Sequence, residues 1–126
     1  MKVLNIVSTG YRATLEEQDD TVLWFSQSLR RAGAEVDILL CGSAANYVIR
    51  GQSVKPIAIG TRTQRNAPDV HGQLDELARS GAAIFVLDQD LESYALRDCP
   101  RLDQVRLIRA AELGRFVSGY EAVWQW

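Results

Sequence analysis

Cys41 and Cys99 are the only thiols in the sequence, and His71 is the only imidazole. Cys41 closes the apolar run Glu35-Val-Asp-Ile-Leu-Leu-Cys41 and precedes Gly42-Ser-Ala-Ala-Asn-Tyr-Val-Ile-Arg50, a short helix candidate capped by Ser43 and stopped by Gly51. It therefore sits at a strand's carboxyl end beside a helix N-terminus, where a thiol's pKa falls and its thiolate fraction rises. Cys41 is the candidate catalytic residue for thiol chemistry, set against its plain reading as a small buried hydrophobe. Cys99, between Asp98 and Pro100, reads as exposed in a loop. Two cysteines and one histidine without metal-ligand spacing predict no metal site, and reduced thiols rather than a disulfide. No Ser or Cys stands near His71 in the sequence to suggest a triad.

The stretch from Gly81 to Leu96 is where chemistry would be looked for first. Ile84-Phe-Val-Leu87 reads as a strand buried on both faces, and Asp88 as the N-cap of a helix that follows at once. In an open parallel sheet, ligands gather at the carboxyl ends of such strands. This end offers neither nucleophile, glycine loop nor cation. Asp88, Asp90 and Glu92 make the first turn acidic, which suits the helix dipole but repels a phosphate or thiolate. Thr9, Gly10, Tyr11, Cys41, Gly42, Ser43, Leu87, Asp88 and Tyr94 all lie at or beyond strand ends and form the candidate ligand or partner cleft. Tyr47 and Tyr94 could face that cleft together or simply pack.

A second chemistry is possible at Ser8-Thr-Gly-Tyr-Arg-Ala-Thr14, where hydroxyls and backbone N–H groups after a first strand could cradle a flavin or nucleotide phosphate. Glu16, Glu17, Asp19 and Asp20 stand against it, and the plain alternative is a strand-to-helix connection capped by Thr14. Lys55, Arg62 and Arg65 could line an anion site or partner surface, or lie on a solvated loop.

The elements that must position these residues follow from periodicity. Lys2 to Ser8 is a first strand. Roughly Leu15 to Arg31 carries Val22, Leu23, Phe25, Ser26 and Leu29 at helical spacing, with acids early and Arg30 and Arg31 late, and Gly33 ends it before the strand Glu35 to Cys41. That is a β–α–β unit with a right-handed crossover. Gln52 to Asn66 reads as a mobile loop with a short edge strand. Pro68 opens a helix over about Asp69 to Ser80, with Val70, Leu74, Leu77 and Ala78 on one face; Val105 to Ile108 is a short strand, and Ala110 to Val117 a final helix. In the closing Gly119-Tyr-Glu-Ala-Val-Trp-Gln-Trp126, Tyr120, Ala122, Trp124 and Trp126 share one parity; the aromatics either cap the core or cover a neighbouring subunit, and Tyr120, Trp124 and Trp126 are the candidate interface.

The whole is 126 residues, long enough for one α/β domain over 1–126 with a mostly parallel five-stranded sheet and helices on both faces. A net charge of -2 with interspersed signs predicts no nucleic-acid partner. Apolar runs fall well short of the ~18 residues that span a bilayer, and no signal peptide opens the chain, so a cytoplasmic protein without a membrane partner is expected.

Laid out in this order, the chain resembles the DsrE/DsrF/DsrH-like sulfur-relay family over nearly its whole length. Asn5-Ile-Val-Ser-Thr-Gly10, Ser28-Leu-Arg-Arg-Ala-Gly-Ala-Glu-Val-Asp-Ile-Leu-Leu40, Leu77-Ala-Arg-Ser-Gly-Ala-Ala-Ile-Phe-Val86 and Val123-Trp-Gln-Trp126 carry the likeness. Phe85-Val-Leu-Asp-Gln-Asp-Leu-Glu-Ser-Tyr-Ala-Leu96 is most similar to the DsrH/TusB branch. The resemblance implies a small α/β domain that forms a homo-oligomer, or a hetero-oligomer with related subunits, beside a sulfur-carrier protein. It also implies a persulfide cysteine at or next to Val86-Leu87, where this sequence has none, and an arginine-glycine where it has Tyr94-Ala95. The expectation is therefore a non-catalytic or accessory sulfur-relay subunit without a cofactor. The rivals are a persulfide carrier using Cys41 and a flavin or nucleotide module using Ser8 to Thr14.

Overall fold

Strand β1, Lys2–Val7, lies inside the sheet, and its Val3, Leu4, Asn5 and Val7 are buried. The computed structural model describes residues 1–11 and 20–126. Helix α1, Thr21–Arg31, begins at Asp20, whose Oδ1 accepts the N–H groups of Val22 and Leu23 at 3.0 Å each. The helix expected from Leu15 thus has its N-cap at Asp20, and Thr14, Glu16, Glu17 and Asp19 lie outside the described residues. A side-chain oxygen at the N-cap satisfies donors that the first turn leaves orphaned, which is why the helix starts there. Beyond Gly33, which turns with φ +95, β2 spans Glu35–Leu40.

A 3₁₀ helix, Gly42–Val48, follows β2 directly, with Cys41 at its N-cap position. Ser43 does not cap it; its Oγ accepts the Gly10 N–H instead. The expected edge strand within Gln52 to Asn66 is a two-stranded antiparallel ribbon, β3 (Ala58–Ile59) with β4 (Arg62–Thr63), which joins no other strand. Helix α2, Val70–Arg79, is capped by Asp69, and β5 is Ile84–Leu87. Helix α3, Asp88–Ser93, comes next, with Leu87 rather than Asp88 at its N-cap. Then come β6 (Val105–Ile108), a 3₁₀ turn (Ala110–Glu112) running into α4 (Leu113–Val117), and β7 (Ala122–Gln125).

The five long strands pair in the order β6-β5-β2-β1-β7, and every pairing is parallel. From β1 the chain steps to β2, β5 and β6 in one direction and then returns past β1 to β7. Right-handed crossovers place the first three connections on one face and the last on the other. Side-chain parity agrees. Val36, Ile38, Leu40, Ile84 and Val86 join Leu23, Leu74, Leu77 and Leu91 in the core of the first face, whereas Phe85 meets Phe116 of α4 at 4.7 Å between ring centres. Among the described residues the second face carries the short helix α4, with Tyr120 beside it. Phe85 and Leu87 are consequently half-buried, which corrects the expectation of a β5 strand buried on both faces. No helix among the described residues is long and apolar enough to cross a membrane.

Candidate functional site

The carboxyl ends of β1, β2 and β5 adjoin in the sheet, so the residues that follow them converge. Two glycines let the turns approach to backbone contact. Gly42 has φ +52, and a Cβ there would collide with the Ser8 carbonyl oxygen. A Cβ on Gly10 would stand 2.9 Å from the Ser43 carbonyl oxygen. The Gly10 N–H donates to Ser43 Oγ (2.8 Å), and the Gly42 N–H donates to Asp90 Oδ2 (2.6 Å), which draws α3 onto the same junction.

Three of the N–H groups after β1 that a phosphate could use already have acceptors in the protein. Ser8 N–H donates to the Trp126 carbonyl (3.1 Å), Gly10 N–H to Ser43 and Tyr11 N–H to the Tyr47 hydroxyl (2.5 Å). The remainder of the Ser8 to Thr14 candidate, from Arg12 on, lies outside the described residues.

Cys41 is half-buried at this junction, and its N–H continues the sheet by donating to the Val7 carbonyl (3.0 Å). Burial pushes its thiol pKa up, and the Asp90 carboxylate pushes it further the same way. This corrects the expectation of a thiol activated by a helix N-terminus. The helix here is a 3₁₀ segment, and the nearby charge is an anion. Cys99 is also half-buried, packed against the core, rather than exposed in a loop. Asp88 does not cap α3; its carboxylate accepts from the Arg97 guanidinium at 2.6 Å. Tyr47 is buried and Tyr94 exposed, so the two do not share a cleft.

Sequence reasoning missed the group that organises the site from below. Tyr47, buried in the 3₁₀ helix, donates its hydroxyl to Asp20 Oδ2 at 2.6 Å while accepting the Tyr11 N–H. The Asp20 N–H donates to Gln73 Oε1 (3.0 Å) on α2, and Gln73 Nε2 donates back to the Asp20 carbonyl (3.3 Å). Burial first, and then the Asp20 hydrogen bond and charge, drive the Tyr47 pKa well above the ordinary tyrosine range. A second polar thread runs through β1: buried Asn5 donates from Nδ2 to Ser26 Oγ (2.8 Å), and its Oδ1 accepts the Trp126 indole N–H (3.4 Å). Asn5 inside an apolar strand, and Asp20 just ahead of helical periodicity, were the available signals.

Beside this junction lies an open cleft of about 360 Å³, lined by Thr9, Asp20, Thr21, Val22, Trp24, Phe25 and Trp126. Phe25 meets Trp124 at 6.3 Å and Trp126 at 5.9 Å between ring centres. Trp24, Trp124 and Trp126 remain 52%, 37% and 41% exposed, so the closing tryptophans neither vanish into the core nor lie free of it. Tyr120 does not belong with them. It precedes β7 and turns to the opposite face, where its hydroxyl donates to Asp37 Oδ2 (2.8 Å) and its ring meets Phe116. Of the candidate cleft residues, Thr9 reaches the aromatic cleft, while Gly10, Tyr11, Cys41, Gly42 and Ser43 form the packed junction. Among the described residues no group of three His, Cys, Asp or Glu side chains could hold a metal ion.

No protein-family model matches the chain, and no curated protein matches it by sequence. Solved structures match its fold over 95–100% of their length. The ychN protein from E. coli aligns with a TM-score of 0.71 and 17% identity, covering 100% of both chains. MTH1491 from Methanobacterium thermoautotrophicum, a protein of unknown function, aligns with a TM-score of 0.63 and 13% identity over 98% of this chain and 97% of that one. BT1422 from Bacteroides thetaiotaomicron, a conserved protein of unknown function, gives 0.61 and 14% over 99% and 95%.

Proposed function

We propose that this chain is a DsrE-like accessory subunit of the cytoplasmic sulfur-relay type, nearest the DsrH/TusB branch, which acts by docking as an oligomer rather than by carrying sulfur. The carrying observation is the aromatic face of α1 and β7, where Trp24, Phe25 and Trp126 line an open cleft and Trp124 stacks beside Phe25. Tryptophan-rich patches with partly exposed rings are the usual energetic centres of protein contacts, because large rigid rings release much water at small entropic cost. The missing cysteine at Val86-Leu87 supports a non-catalytic role.

The rival reading, Cys41 as persulfide carrier, needs a ready thiolate. Burial and Asp90 both oppose one. Sedimentation and alkylation kinetics test the proposal together. The wild-type chain should sediment as an oligomer, Trp24→Ser should shift it toward the monomer while remaining folded, and Cys41 should react with iodoacetamide no faster than free cysteine at neutral pH. A monomeric wild type, or a Cys41 that labels far faster than free cysteine and takes up a stoichiometric sulfane sulfur, would refute it.

A further inference from the structure

Between the 3₁₀ helix and α2 the chain leaves the body of the domain. Residues 55–63 are all exposed, and their only regular structure is the β3–β4 ribbon, turned at Gly60 with φ +61. Ile57 is exposed and Ile59 is 77% exposed. A ribbon of two such short strands is not stable by itself in water. Ile59, beside the turn, adds apolar surface that no described residue covers, and Ile57 at the ribbon's base is 37% exposed.

The charges are as one-sided as the apolar residues. From Gly51 to Pro68 the sequence holds Lys55, Arg62 and Arg65 and no acid. None of the three has an ion-pair partner among the described residues. The segment therefore carries +3 and, with -2 for the chain, leaves -5 on everything else (-2 - 3 = -5). A cationic arm on an otherwise anionic body is complementary to a second body of the same kind. The whole chain's net negative charge argues against a nucleic-acid partner for so small a basic segment.

We propose that the Lys55–Arg65 ribbon is a docking arm for a second copy of this chain, with its isoleucines against that copy's Trp24, Phe25 and Trp126 and its cations toward that copy's anionic surface. Arm and receiving face are different surfaces, so the contact is either reciprocal within a dimer or head-to-tail around a closed ring. The inference rests on the oligomeric reading above and names its second half. It also accounts for an apolar ribbon tip and an open aromatic cleft on one molecule.

The test compares the wild type with Lys55→Glu/Arg62→Glu/Arg65→Glu and, separately, with Ile59→Ser, by sedimentation equilibrium. All four positions are exposed, so both variants should keep the wild-type circular dichroism spectrum and melting temperature. The charge reversal should weaken assembly about tenfold or more, and about 1 M NaCl should weaken the wild type in the same direction by shortening the screening length to ~3 Å. Ile59→Ser should weaken assembly with little change in its salt dependence. Lys55 is one of two lysines, with Lys2, so zero-length carbodiimide coupling in a mixture of isotopically heavy and light chains reads the contact directly. A heavy–light link from Lys55 to a carboxylate supports the arm. Arm variants with the wild-type mass and dissociation constant, and Lys55 links only within one chain, overturn the arm alone. A wild type that is monomeric throughout overturns the oligomeric reading and the arm with it.

Discussion

The Tyr47 hydroxyl joins two segments, donating a hydrogen bond to Asp20 and accepting one from the Tyr11 N–H, while Asp20 also caps α1. Tyr47→Phe keeps the ring and removes both bonds, leaving a buried carboxylate oxygen without its donor. It should cost about 1–3 kcal/mol in urea unfolding with little change in the slope of the transition; an unchanged midpoint would mean that the network contributes nothing. Asp20 was visible in the sequence as one of four acids early in the helix expected from Leu15. Its role was not, because its Tyr47 partner lies 27 residues away and Gln73 lies 53 away. Cys41 shows the same gap: its position at a strand end was legible, whereas the burial that raises its thiol pKa, and the Asp90 carboxylate that adds to the rise, come from elements far along the chain.

At the scale of elements, the junction above the sheet is set by two turns that only glycine can make. Gly42→Ala would have to hold φ +52 and also push Cβ into the Ser8 carbonyl, whereas Gly51→Ala, at φ +79, meets nothing within 4 Å. The second change should cost about 1–2 kcal/mol for the left-handed backbone alone. Gly42→Ala should cost at least about 1 kcal/mol more, and equal losses would show that the turns part without penalty. The helices and strands themselves were largely legible from periodicity. Their ends were less so: Asp88 looked like a cap, yet Arg97, arriving from beyond α3, takes its carboxylate. Likewise Tyr120 shared the parity of the closing tryptophans, but parity holds only inside a strand, and β7 begins at Ala122.

For the whole molecule, the tyrosines predict an alkaline limit to stability. Burial and the carboxylates of Asp20 and Asp37 raise the Tyr47 and Tyr120 pKa values in the folded chain; burial raises that of Tyr11. A raised folded pKa means that the native state holds its proton longer than the unfolded state. The stabilisation is thus complete below the ordinary value of 10.0 and is lost as pH climbs above it. Melting temperature should hold up to about pH 9 and fall steeply beyond pH 10, while in a Tyr94→Phe background, which removes the most exposed tyrosine, tyrosinate absorbance rises only as the chain unfolds. Early tyrosinate absorbance with an intact circular dichroism spectrum would count against the buried network.

The amino-acid sequence alone determined the fold class and the order of its elements, because apolar spacing and glycine or acidic punctuation are local signals that survive without tertiary context. It also settled that β5 ends without a thiol. Only the tertiary structure decided which groups meet: the Tyr47–Asp20–Gln73 network, the Asp90 carboxylate beside Cys41, the ribbon standing off the sheet, and the separation of Tyr120 from Trp124 and Trp126. Those outcomes depend on pairing residues far apart in the chain and on the hand of the crossovers, so a pattern read along one dimension carries no record of them.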